Sequence, residues 1–75
     1  MMPLSMANAG ATWKVDAIKG KEDTRHHLEN LGFVPGCTVS VVTVLGGNLI
    51  VRVKDARVAL NQSLAAKIWG EEVEA

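Results

Sequence analysis

The side chains best suited to chemistry in this sequence are two adjacent histidines, His26 and His27, and one cysteine, Cys37. Glu22, His26 and Glu29 recur at i, i+4 and i+7. On a helix they share one exposed stripe, where two carboxylates and an imidazole offer ligands to a divalent cation. His26 and His27 point about 100° apart on such a helix, so the pair does not grip one ion, and zinc-binding helices space their ligands by three or four. Carboxylates beside a helical histidine are equally the mark of a solvated face. Cys37 has no second thiolate and no CxxC partner. No metal ligand is therefore assigned. His26, His27, Glu29 and Cys37 stand as candidates for weak transition-metal binding, and no cofactor is required. The two histidines make this the most pH-sensitive region of the chain.

Nucleophilic and phosphate chemistry find less support. Ser5, Ser40 and Ser63 lie in no nucleophile motif, and Cys37 follows a turn with no helix N-terminus to activate it. Gly20-Lys21 resembles the end of a phosphate-binding loop, but Val15 stands where that loop needs glycine and Glu22 where it needs Ser or Thr. Gly46-Gly47 is followed by no helix and reads as a hairpin. Arg52, Lys54 and Arg57 make a local basic patch, and Trp13, Phe33 and Trp69 are aromatics that a single-strand binder would use for stacking. In so small a fold those three are needed to fill the core. Lys and Arg number 8, Asp and Glu number 8, and the formal net charge is +0. That balance removes the excess positive charge on which nucleic-acid and membrane-surface binding lean. The expectation is a protein that is not an enzyme and has no nucleic-acid partner.

The elements that must position these groups follow from 75 residues, 48% of them hydrophobic. One domain, residues 1–75, with a radius of gyration of about 11 Å is expected. Its core supplies no more than roughly 3–5 kcal/mol net, which disfavours a deep polar active site. The longest mostly apolar run, Val39 to Leu45, is strand-like and far short of a membrane span, so no direct membrane insertion is expected. With no basic leader at the N-terminus and a single cysteine, the chain reads as cytoplasmic.

Thr12 to Ile18 alternates, with Trp13, Val15 and Ala17 on one face, as a half-buried strand does. Glu22 to Leu31 switches to helical spacing, with Thr24, Leu28 and Leu31 as its stripe and Gly32 as its stop. Val34-Pro35-Gly36-Cys37 reads as a type II turn. Thr38 to Leu45 and Leu49 to Lys54 form a hairpin about Gly46-Gly47-Asn48, and Arg57 to Leu60 adds a third strand. Asn61 caps a turn over Gln62 to Ala66. Lys67 to Gly70 makes the last strand, and the tail from Glu71 frays. The fold class is mainly β: a small closed barrel of about five strands, with one short α-helix between the first and second long strands. The helical turn before the last strand points to an SH3-like barrel rather than an OB-fold. Thr38 to Leu45 is apolar on both faces, with Val39, Val41 and Thr43 on one and Val42 and Val44, beside Ile50, on the other. Either the helix bearing Leu28 and Leu31, with Phe33, covers that second face, or the face is a docking surface.

Leu28-Glu29-Asn30-Leu31-Gly32-Phe33-Val34-Pro35-Gly36 resembles the LxxLGxxPG signature of the FeoA family. Val39–Val44, Gly46 to Val51, Arg57 to Leu60 and Ala65 to Ile68 follow that domain's order, and Pro3-Leu4-Ser5-Met6 resembles the start of its clostridial-type members. The likeness covers almost the whole chain. It implies a small SH3-like accessory protein of bacterial ferrous-iron uptake, acting on the cytosolic side of the membrane transporter FeoB and so peripheral to the inner face of the membrane. It also implies kinship with the C-terminal domain of iron-dependent repressors, which makes ferrous-iron binding or sensing the alternative function. Gly32, Pro35, Gly36, Gly46 and Gly47 read as structural positions. Leu28, Leu31, Phe33, Val42 and Val44 are the expected partner-binding cleft. Edge strands and an apolar patch also allow a weak homo-oligomer.

Overall fold

A computed structural model describes residues 1–74. The elements run β1 (Met2–Pro3), a 3-10 turn (Leu4–Met6), β2 (Thr12–Ile18), α1 (Glu22–Asn30), β3 (Thr38–Leu45), β4 (Asn48–Val53), β5 (Ala56–Leu60), α2 (Gln62–Ala65) and β6 (Ile68–Val73). All pairings are antiparallel, in the spatial order β1-β6-β2-β3-β4-β5. The sheet rolls into a barrel-like body with a Cα radius of gyration of 10.7 Å. β5 and β1 do not pair, so the barrel stays open, where full closure was expected.

The sheet gains a sixth strand at its end. Met2 pairs with Gly70 and Pro3 with Trp69, where the sequence reading assigns no strand. The tail does not fray at Glu71. Lys14 lies directly across from Glu71, and Thr12 from Val73, so β6 continues along β2. The strands approach so closely at Gly70 that a Cβ there would collide with the Lys14 carbonyl and sit 2.8 Å from Trp13 Nε1.

Trp13, Val15, Leu28, Phe33, Val39, Val51, Val53, Leu60 and Ile68 are essentially removed from solvent, and no polar or charged residue is buried among the described residues. Two β-bulges decide which side chains join them. The β2–β6 register shifts between Val15 and Ala17, so Ala17 lies across from Trp69 while Ile18 lies across from buried Ile68. The β3–β4 register shifts between Val41 and Thr43, so Thr43 pairs with Ile50 and Val44 with buried Leu49. A bulge inserts one extra residue and exchanges the faces beyond it. Strict alternation therefore misplaces Ala17, Thr43 and Val44, and Val44 shares the face of Leu49 rather than of Ile50.

Candidate functional site

The signature segment is built for shape. The Gly32 N–H donates to the Glu29 carbonyl (2.9 Å) and the Phe33 N–H to the Leu28 carbonyl (3.0 Å). This is the Schellman closure of a helix, and it brings Leu28 and Phe33, both fully buried, against the core. Gly32 takes φ +107°, and a Cβ there would press on Val53 at 3.2 Å. In the next turn Gly36 takes φ +93°, as the third position of a type II turn requires. The Cys37 N–H closes that turn onto the Val34 carbonyl (3.0 Å), and the Gly36 N–H donates to the Val15 carbonyl (2.7 Å). Pro35 presets the turn, which straps the helix exit to β2.

The expected cleft consequently divides. Leu28 and Phe33 are core, with no surface to offer a partner, and Leu31 is half-buried against the same core. They sit at the Val53 end of β4, where Gly32 packs. Val42 and Val44 belong to the other end of the hairpin, since Val44 pairs with Leu49. Four residues of strand, about 13 Å, separate Leu49 from Val53.

That far end is the most apolar surface outside the N-terminus. Leu45 is 66% exposed, the most of any large apolar side chain described, and Val42 and Val44 are 38% and 37% exposed. Gly46 and Gly47 both take positive φ (55° and 88°), forming the two-residue turn that Leu45↔Asn48 pairing demands. Gly47 lies against α2, where a Cβ would meet Gln62 Oε1 at 2.9 Å. α2 is capped at its start by Asn61 Oδ1, which accepts the Leu64 N–H at 2.8 Å. On the opposite edge, Val41 exchanges hydrogen bonds with Ala11 and Gly10 (2.9 and 2.8 Å). Beyond Val41 no further backbone bond to that side is formed among the described residues, so Val42 to Leu45 presents a short free strand edge with apolar side chains. Leu45 was not among the expected contact residues; its sequence signal is an apolar residue next to a Gly-Gly turn, where strand patterning no longer implies burial.

The chemistry-bearing residues remain dispersed. His26 Nε2 lies 3.4 Å from Glu22 Oε1, both on the exposed face of α1. Cys37 is half-buried in its turn. Among the described residues no three His, Cys, Asp or Glu side chains converge as a cation site would require. The basic residues also part company. Arg52 and Arg57 are direct cross-strand neighbours on the outer face of β4 and β5, while the Lys54 stem runs toward Gly32. Trp13 and Phe33 are buried, and Trp69 carries the Lys19 ammonium 4.2 Å above its ring. Among the described residues no pocket opens, and no helix is long and apolar enough to cross a membrane.

A rolled antiparallel sheet with a helical turn before its last strand, filled by side chains and free of pockets among the described residues, is a small SH3-like module. The family model for the FeoA domain matches residues 2–72, and the chain belongs to that family, which is associated with ferrous-iron transport. The family indicates no enzymatic activity. A crystal structure of an iron uptake regulatory protein (FeoA) is similar at 29% identity and TM-score 0.88, covering 96% of each chain. The solution structure of iron(II) transport protein A from Clostridium thermocellum matches at 24% identity and TM-score 0.88, covering 96% of this chain and 46% of that one. A manganese-dependent transcriptional repressor matches at 20% identity and TM-score 0.85, with 95% of this chain on 41% of the repressor. The latter two share the fold. No curated protein sequence matches this chain.

Proposed function

We propose that this chain is an accessory module of ferrous-iron uptake that works by docking on the cytosolic part of a FeoB-type transporter. Family membership supports the choice of system, and the exposed hairpin end supports the choice of contact. The observation that carries the reading is the contrast between a filled core, with no pocket among the described residues, and a tip where Leu45 is mostly exposed and Val42 and Val44 partly so beside a free strand edge. A domain with so little core leaves three large apolar side chains at least partly exposed at one strand end, at a cost in solubility that a docking role explains. With Leu28 and Phe33 in the core, the partner surface is narrowed to Val42, Val44 and Leu45, with Leu31 outside it.

Binding of the transporter's purified cytosolic part, measured by calorimetry, tests this. Val42→Asp and Leu45→Asp fold normally, because both positions are exposed, and lose binding. Undiminished binding by both folded variants refutes the surface. Ferrous-iron binding or sensing is the competing function, and the Glu22–His26 pair is the observation that favours it. Anaerobic iron(II) titration decides it. A micromolar site abolished in the double variant His26→Ala/His27→Ala would establish it, and millimolar affinity unchanged in that variant would dismiss it.

A further inference from the structure

We propose that the β5 edge accepts an extended, acidic segment of a partner protein, added as a further strand with a carboxylate in row with Arg57. Two independent features point there. The first is the edge itself. The sheet ends on β1 and β5. β1 is two residues long and ends in Pro3, which has no N–H to give a ladder, so that edge is closed to pairing. β5 is five residues long, contains no proline, and among the described residues pairs only with β4. Ala56 to Leu60 make no other backbone hydrogen bond among the described residues. α2 follows β5 through Asn61 and packs against it, while Ala56 and Arg57 at the other end of the strand are exposed.

The second feature is charge. Arg52 and Arg57 lie directly across from each other, and like charges so placed repel. Among the described residues neither arginine forms an ion pair, Asp55 in the adjoining turn included. Their row continues Ser40, Arg52, Arg57 across β3, β4 and β5, and stops at the free edge. The next residue in that row belongs to whatever pairs with β5. A carboxylate there meets two unneutralised guanidiniums and converts repulsion into charge-assisted hydrogen bonds. Alternation fixes the rest of the pattern. The residue opposite Val58, half-buried and cross-strand from fully buried Val51, faces inward and is apolar. The edge therefore selects alternating acidic and apolar residues in an extended segment. Nucleic acid fits it poorly. Trp13 and Phe33 are buried, Trp69 is occupied by Lys19, and two arginines on a chain of net charge +0 neutralise few phosphates.

The inference does not depend on the transporter reading, and its probe is a capped peptide alternating glutamate with valine. Added to the isotopically labelled full chain, that peptide shifts the amides of residues 56–60. A glutamine-for-glutamate peptide binds about tenfold more weakly or worse, and so does the Arg57→Gln variant titrated with the original peptide. Added salt weakens the binding. Absence of shifts on β5 at millimolar peptide overturns the proposal, as does equal affinity for the glutamate and glutamine peptides. A decathymidine strand, or a vesicle of three parts phosphatidylcholine to one of phosphatidylglycerol, that moves the same amides more strongly than the peptide also overturns it. Failure here leaves the hairpin-end contact standing, because that contact is read by transporter binding alone.

Discussion

Leu28 to Gly36 and Val42 to Gly47 are both apolar and glycine-bearing, yet the first segment sends its largest side chains into the core, with Val34 left 38% exposed, and the second is mostly surface. In the first, Leu28 and Phe33 are fully buried, Gly32 ends a helix, and Gly36 closes a turn onto Val15. Leu28, Gly32, Phe33 and Gly36 each answer a demand made within the fold. In the second, the two glycines answer such a demand, but Val42, Val44 and Leu45 do not. The more distinctive motif is thus the one least available to a partner. A signature can mark how a fold is made rather than what it touches.

Four substitutions sharpen that contrast, beginning with the most damaging. Phe33→Ala empties the core beside Leu28 and costs about 3–5 kcal/mol. That equals roughly the whole net stability of a domain this small, so urea denaturation finds the variant largely unfolded in buffer. Gly32→Ala forces a Cβ into a left-handed conformation and against Val53, for about 1–3 kcal/mol. Thermal unfolding registers it as a fall of several degrees for each kcal/mol, roughly 4–8 °C. Asn61→Ala removes the cap of the short helix that backs Gly47, for about 1 kcal/mol by the same melt. Leu45→Gln changes stability by no more than about 0.5 kcal/mol, since the side chain is mostly in water. It nevertheless weakens transporter binding by about tenfold, a loss read by calorimetry. The contrast fails if Leu45→Gln melts the domain, or if Phe33→Ala leaves it intact.

Much of this was legible in the sequence for identifiable reasons. Helical spacing ending in Gly32, Pro35-Gly36, the Gly-Gly hairpin and the Asn61 cap are local signals, and each lies where expected. The errors are nonlocal. Alternation cannot reveal a bulge, because the extra residue at Val41/Thr43 is defined only by its partner strand. Strict alternation therefore puts Val44 on the face of Ile50 and makes a cleft from Leu28 to Val44 look continuous. The pairing of Glu71–Val73 with β2 likewise depends on Lys14 and Thr12, more than fifty residues earlier. The family resemblance carried the fold and the iron-transport association, and the structure placed the exposed apolar residues.

Which surface of the chain a partner meets is read directly by chemical-shift mapping. The isotopically labelled chain is titrated with the soluble cytosolic part of a FeoB-type transporter. Shifts that cluster on Val42 to Gly47 and the adjoining α2, and leave the exposed face of α1 unchanged, are the predicted result. Binding that leaves Val42 to Gly47 unmoved, and shifts the Glu22–His26 face of α1 instead, would contradict it.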